Sequence, residues 1–144
     1  TEKDMQDVLQ VREALDRLAA SIACECITKE ELQRLEQAMY DFEEAVHTQN
    51  IKSIADTDMV FHDLIYQATR NPKLVMILNN LREQMYRYRV EYLKDEKNYP
   101  VLLKEHREIF QGFVERNKEL VTDSMCRHVE NQAVAVKTMI RNQE

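Results

Sequence analysis

The most informative pattern in the chain is VLLKEHREIFQGFVERNKELVTDSMCRHVENQ, residues 101–132. Apolar residues recur three and four positions apart on both sides of Asn117, which predicts two antiparallel helices joined near that residue. His106 lies 11 residues before Asn117, and His128 lies 11 residues after it. At a rise of about 1.5 Å per residue, both histidines lie about 16 Å from the turn. The two imidazoles are therefore expected at the same level of the helix pair.

The same periodicity extends over the rest of the chain and predicts further helices. Thr28 followed by Glu31 is the signature of a capping box, so a helix is expected to begin directly after the threonine. Pro72 and Pro100 each suit the first turn of a helix and not its interior, and we expect a single helix between them. The chain is therefore predicted to be an all-α, antiparallel bundle of about six helices, forming one domain over residues 1–144.

Composition excludes several classes of protein. The chain has 144 residues, of which only one is Gly, and this count rules out Gly-rich phosphate loops and dinucleotide-binding folds. With 20 Lys and Arg against 26 Asp and Glu, the net charge of −6 argues against DNA binding by this chain alone. No apolar run is long enough to cross a membrane, and the start of the chain does not resemble a signal peptide. Three cysteines, an odd number, favour reduced thiols and a cytoplasmic location.

Three histidines and one aspartate form a candidate metal site. Asp58 and His62 lie four residues apart, which places both side chains on one helix face. If that face meets the interior that also receives His106 and His128, three imidazoles and one carboxylate converge, a donor set that suits Zn, Ni, Cu or Fe. The alternative is that the histidines are hydrogen-bonded core residues without a metal. The residues by themselves leave both interpretations open.

Two arginines are also expected to face inward. Arg12 lies on the apolar stripe of the first helix, and Arg82 lies one turn after Leu78. A buried guanidinium needs an anionic partner, which is either an internal acid such as Glu13 or Asp16, or a carboxylate ligand bound through two hydrogen bonds. Two further side chains lie one turn past His128 and could add a hydrogen bond to such a ligand, unless they are polar surface residues: Asn131 and Gln132.

The chain resembles the FCD domain, the effector-binding C-terminal domain of FadR-type regulators in the GntR family of transcription factors. The resemblance extends over essentially the whole chain, and the segments that carry it are 11–16, 18–20, 58–62, 71–72, 105–106 and 125–129. The resemblance implies an all-helical bundle whose interior cavity holds a divalent metal. The positions that correspond to the ligands of that metal are all present: Asp58, His62, His106 and His128. One departure is Asp16, where the family more often has Glu.

The function expected from this resemblance is ligand sensing, with no catalytic residues. A divalent metal, most readily Zn or Ni, would bind together with a small carboxylate effector, and Arg12, Arg82 and Asn131 would contact that effector. Family members act as homodimers and bind DNA through an N-terminal winged-helix domain, which we expect to lie outside this chain. Two alternatives remain: a mononuclear metal-dependent hydrolase, and a metal-free helical dimerisation module.

Overall fold

A computed structural model describes residues 2–143, with the backbone alone at positions 139 and 143. Within that range the chain forms seven α-helices and one short 3₁₀ turn, and contains no strand. The bounds in chain order are α1 Glu2–Cys26, α2 Lys29–Thr48, α3 Ile51–Ala68, α4 Pro72–Asn80, α5 Arg82–Leu93, the 3₁₀ turn Glu96–Asn98, α6 Tyr99–Val114 and α7 Lys118–Gln143. The all-α prediction is confirmed.

The predicted helix between the two prolines is in fact two helices, and the expected count of six therefore becomes seven. The break falls at Leu81, whose backbone has φ −97° and ψ −3°. Its N–H donates to the carbonyl of Leu78, three residues back, at 3.1 Å, which tightens the end of α4 before α5 begins. The buried residues on either side of the break, Leu78 and Met85, are seven residues apart, so the inward face continues from α4 into α5.

Side-chain caps define the helix starts that the sequence predicted. The Thr28 hydroxyl accepts from the Glu31 backbone N–H at 3.1 Å, and the Glu31 carboxylate accepts from the Thr28 N–H at 3.0 Å. Asn71 caps α4 by accepting from the Leu74 N–H at 3.1 Å, with proline in the first turn. These caps satisfy N–H groups that have no partner within the helix.

The bundle places α7 between α1 and α6, while α2 packs on α3. The single glycine of the chain lies where α6 and α7 approach each other. A Cβ atom at Gly112 would lie 2.6 Å from Cγ2 of Val121, so only glycine fits without movement of the neighbouring helix. This close contact brings the inward faces of α6 and α7 together. None of the helices between residues 2 and 143 is long and apolar enough to span a membrane.

Candidate metal centre

The four residues of the predicted metal site meet in the interior of the bundle. Asp58 and His62 come from adjacent turns of α3, His106 from α6, and His128 from α7; all four side chains are buried. Each offers a ligand atom, and no two of these atoms are more than 4.8 Å apart. The ring centroids of His106 and His128 are 5.6 Å apart, as expected from their equal distance to the turn. We call these four residues the Asp/His cluster.

The distances within the cluster suit side chains that share one ion. The Nε2 atoms of His62 and His128 are 3.1 Å apart, and Asp58 Oδ1 lies 2.6 Å from His106 Nε2 and 3.4 Å from His62 Nε2. Imidazole nitrogens bind Zn²⁺ at about 2.0–2.1 Å, so neighbouring ligand atoms of one ion are separated by about 3.0–3.4 Å. The separations of 3.1 Å and 3.4 Å match this range, while the 2.6 Å contact is a hydrogen-bond distance that would lengthen around an ion; the donor set is consistent with a divalent metal.

The electrostatics of the cluster favour the protonation states that a metal requires. Burial alone would raise the pKa of the Asp58 carboxyl, but the charge of Arg89 and contacts with His62 and His106 hold it well below its usual range. Burial lowers the pKa of His62 from 6.5 to about 4, although the Asp58 carboxylate opposes this change. Burial likewise lowers the pKa of His106. At neutral pH these two imidazoles are uncharged, and each has one ring nitrogen with a lone pair. In His106 the proton is on Nε2, which donates to Asp58 Oδ1 at 2.6 Å, and a metal bound at Nε2 would take the place of this proton.

Aromatic side chains fix the orientation of His106. The ring of Phe61 stacks on the imidazole at a centroid distance of 4.4 Å with an interplanar angle of 8°. Phe42 covers it from another direction at 4.1 Å. Because both phenyl groups are fully buried, the imidazole has little rotational freedom, and Nε2 remains directed at Asp58.

His128 is oriented by Glu105, which the sequence analysis did not identify as a functional residue. His128 Nδ1 and Glu105 Oε1 are 3.2 Å apart, and since a carboxylate can only accept, the Nδ1–H is the donor. The other ring nitrogen of His128, Nε2, is therefore directed at the cluster. Burial would raise the pKa of Glu105, but hydrogen bonds from His128 and Asn131 lower it overall. Asn131 donates to Glu105 Oε2 at 2.8 Å, so its amide contacts this carboxylate.

Arg89 is the second functional residue that the sequence analysis missed. It is buried on α5 and forms an ion pair with Oδ2 of Asp58, on the side away from the histidines. The signal was present in the sequence, because Met85, Arg89 and Tyr92 follow the spacing of four and three that marks an inward face. The carboxylate is thus held between a guanidinium and the imidazoles.

The inward placement of Arg12 is confirmed, and so is a salt bridge with Asp16. The Arg12 side chain is fully buried; its Nε donates to Asp16 Oδ2 at 3.1 Å and its Nη1 to Gln132 Oε1 at 2.8 Å. Tyr66 donates its hydroxyl to the same aspartate at 2.5 Å. Two donors of this network, Arg12 Nη2 and Gln132 Nε2, are buried and find no hydrogen-bond partner among the described residues.

The inward placement of Arg82 was wrong. Its side chain is 46% exposed and donates to Asp63 at 2.9 Å on the surface. Arg82 is the first residue of α5, and its guanidinium pairs with the partly exposed Asp63 instead of entering the core. Arg82 nevertheless lines a narrow hollow of about 20 Å³ whose wall also includes His62 and Arg89. Its role toward a ligand stays a prediction.

These features describe a helical bundle with a buried Asp/His cluster that is consistent with a metal site. A model of the family described as the FCD domain matches residues 7–131. The chain therefore belongs to the FCD domain family. The resemblance seen in the sequence is confirmed.

Curated relatives agree with this assignment. The chain is 24% identical over 145 residues to the "Uncharacterized HTH-type transcriptional regulator YdhC" of Bacillus subtilis (strain 168), covering 97% of this chain and 63% of the relative. It is 23% identical over 127 residues to the "HTH-type transcriptional repressor RspR" of Escherichia coli (strain K12), covering 88% of this chain and 56% of the relative. The chain thus spans less than two thirds of either relative. Both are described as regulators, in agreement with a regulator domain and not an enzyme.

Solved structures show the same fold. A structure described as "Streptococcus agalactiae GntR" superposes with a TM-score of 0.75 at 25% identity, covering 91% of this chain and 57% of the other. "E. coli McbR/YncC" superposes with a TM-score of 0.77 at 16% identity, covering 96% of this chain and 70% of the other.

Proposed function

We propose that residues 1–144 form a single sensing domain that binds a divalent metal at the Asp/His cluster and a small organic acid beside it. The observation that carries the proposal is the convergence of three buried imidazoles and one carboxylate, with ligand atoms no more than 4.8 Å apart. The imidazole-rich donor set favours Zn²⁺ or Ni²⁺ over oxygen-preferring ions such as Mg²⁺. Asp58, His62, His106 and His128 are the proposed ligands.

The side chains around the cluster would bind and orient the effector. When bound, the metal would supply a positive centre that attracts an effector carboxylate. Arg12 would donate from its unpaired Nη2, and Arg82 would contact the ligand at the narrow hollow beside His62. Asn131 would act by holding Glu105, and it would reach the ligand directly only if it released that carboxylate.

In the proposed full-length regulator, effector binding would control a separate DNA-binding domain. The names of the curated relatives, which are described as HTH-type regulators, support this part of the proposal. A net charge of −6 suits a domain that does not itself contact DNA phosphates. We further propose that the domain acts as a homodimer, because a two-fold symmetric protein matches a near-palindromic DNA site. The proposed location is the cytoplasm, where reduced cysteines such as the three of this chain are the usual state.

The first experiment is metal analysis of the purified chain. We expect close to one Zn²⁺ or Ni²⁺ per chain by native mass spectrometry, and a rise in melting temperature on addition of either ion, because a ligand of the folded state stabilises it. The double variant His106→Ala/His128→Ala should lose the ion. His47→Ala is the matched control, because His47 is exposed at the end of α2.

An equal metal content in the double variant and the wild-type chain would contradict the proposal. A chain that neither retains an ion nor gains stability from Zn²⁺ or Ni²⁺ would instead support a metal-free dimerisation module.

A further inference from the structure

The Asp/His cluster lies out of reach of solvent. No more than 2% of any of its four residues is exposed. An ion therefore reaches the cluster either along an opening between the helices or through local unfolding of the bundle. The hollow beside His62 is a candidate for such an opening, because it lies between α3 on one side and α4 and α5 on the other.

The lining of this hollow changes from buried to exposed side chains. At its inner end are His62, a proposed ligand, and Arg89, which forms the ion pair with Asp58; both are only 2% exposed. At its outer end are Asp63 and Arg82, whose side chains are 34% and 46% exposed. The hollow thus connects a residue of the cluster with the surface of the protein.

The hollow is narrow, but part of its wall is adaptable. Its volume of about 20 Å³ accommodates about one water molecule, so an ion with its hydration shell does not fit. Met59 of α3 and Met85 of α5 form parts of the wall. Methionine side chains are unbranched and adjust readily to a change of shape. The hollow can therefore widen through side-chain rotation, without displacement of a helix.

An ion pair closes the outer end of the hollow. Arg82 Nη1 donates to Asp63 Oδ1 at 2.9 Å and joins the first residue of α5 to α3. Exposed ion pairs contribute little to stability, so this one breaks and re-forms readily. While it is formed, the guanidinium neutralises the carboxylate. When it is broken, the Asp63 carboxylate is free to attract a cation to the mouth of the hollow.

We propose that the divalent ion enters and leaves the Asp/His cluster through this hollow, and that the Arg82–Asp63 ion pair is its gate. This inference rests on the proposed function, since it requires an ion at the cluster. It assigns Asp63, Arg82 and Met59 to the exchange of the ion and not to its coordination.

The test measures the exchange of Zn²⁺ in the absence of an effector. The dissociation rate constant is obtained by mixing the Zn²⁺-loaded chain with an excess of a chromophoric chelator. The equilibrium dissociation constant comes from a competition titration, and the two together give the association rate constant. Arg82→Ala removes the gate and should raise both rate constants about two- to fivefold, as expected for the loss of an exposed ion pair.

A second variant should act in the opposite direction. Met59→Phe places a stiffer and bulkier side chain in the wall and should lower both rate constants at least fivefold. In both variants the equilibrium dissociation constant should change less than either rate constant, because an entrance is not part of the bound state. Arg82→Ala, at an exposed position, keeps the test decisive if Met59→Phe does not fold.

Arg107→Ala is the matched control. Arg107 on α6 donates to Glu43 on α2 at 2.9 Å in a similar surface ion pair, and neither residue lines the hollow. Both rate constants should stay at their wild-type values in this variant. Changes as large as those of Arg82→Ala would indicate exchange through general loosening of the bundle and would overturn the inference.

The remaining outcomes separate the inference from the proposed function. A chain that binds no Zn²⁺ contradicts the proposed function and, with it, the gate. A chain that binds Zn²⁺ but keeps wild-type rate constants in Arg82→Ala, or in a folded Met59→Phe variant, overturns the inference alone. An increase in the association rate constant of Arg82→Ala without an equal increase in the dissociation rate constant would show charge repulsion without a gate, and would overturn it as well.

Discussion

The metal-free domain should lose stability as the pH falls from 7 to 5. His62 has a pKa of about 4 in the folded chain, against 6.5 for an exposed histidine, because burial penalises its charged form. Between these two values the unfolded chain binds a proton that the folded chain does not, so unfolding is favoured as the pH falls. At pH values well above 6.5 neither state is protonated at this site, and the stability is fully present.

The magnitude follows from the size of the shift. One pKa unit corresponds to about 1.4 kcal/mol. Because the His62 pKa is lowered from 6.5 to about 4, this group reduces the free energy of unfolding by about 3 kcal/mol in total as the pH falls from above both values to below both. About 2 kcal/mol of this is lost between pH 7 and pH 5. His106 adds a loss of the same sign, because burial lowers its pKa too. Asp58 acts in a separate window, since a carboxyl whose folded pKa is depressed loses its contribution only below its unfolded value of 3.8.

The assay is urea unfolding of chelator-treated chain at pH 7, 6 and 5, followed by circular dichroism. His62→Gln should flatten the pH dependence by about 2 kcal/mol, whatever its effect on absolute stability. His47→Gln, which changes an exposed histidine, should keep the wild-type slope. A wild-type free energy of unfolding that is constant from pH 7 to 5, or a His62→Gln variant with the full slope, would refute this reasoning.

Three further predictions concern single contacts. Glu105→Ala should weaken metal binding about 10- to 100-fold because it leaves the His128 imidazole unoriented, while Glu105→Gln should retain most of the affinity. Equal metal dissociation constants for Glu105→Ala and Glu105→Gln in a competition titration with a chelator would contradict this. Arg89→Met should destabilise the metal-free chain by about 3–5 kcal/mol, because it leaves the Asp58 carboxylate buried without its guanidinium partner. A decrease of less than about 1 kcal/mol in the free energy of urea unfolding would argue against a buried ion pair. Gly112→Ala should cost about 1–3 kcal/mol through its clash with Val121, and an unchanged melting temperature would show that α6 and α7 can separate freely.

The parts of the site that depend on one helix or one hairpin could be predicted from the sequence. Asp58 and His62 are one turn apart on α3, so their common face follows from helical spacing alone. His106 and His128 lie at equal distances from the turn of a tight hairpin, and their rings are accordingly 5.6 Å apart. In each case local geometry leaves little freedom.

The parts that depend on a helix break or on packing between helices could not be predicted. Arg82 and Arg89 lie seven residues apart in α5, so helical spacing places them on nearly the same face, and only the packing of α5 against α3 decides that Arg89 reaches Asp58 while Arg82 pairs with Asp63 at the surface. The break at Leu81 could not be predicted either, because leucine is a good helix former. Glu105 was overlooked for a different reason: its partners His128 and Asn131 belong to α7, and only the pairing of α6 with α7 brings them within hydrogen-bonding distance.

The construction of the cluster suggests how a small ligand could act on the whole bundle. Its side chains belong to α3, α6 and α7, and the buried ion pair of Arg89 with Asp58 adds α5. Without an ion, the buried polar side chains are stabilised by the contacts of Asp58 with His106 and Arg89 and by the hydrogen bond from His128 to Glu105. An ion shared by all four side chains would bind only when these helices are assembled, and its binding free energy would then add to the stability of the assembly. An effector that changed how tightly the proposed ion is held would therefore also change how firmly the helices are held together, which is the differential interaction that a conformational switch requires.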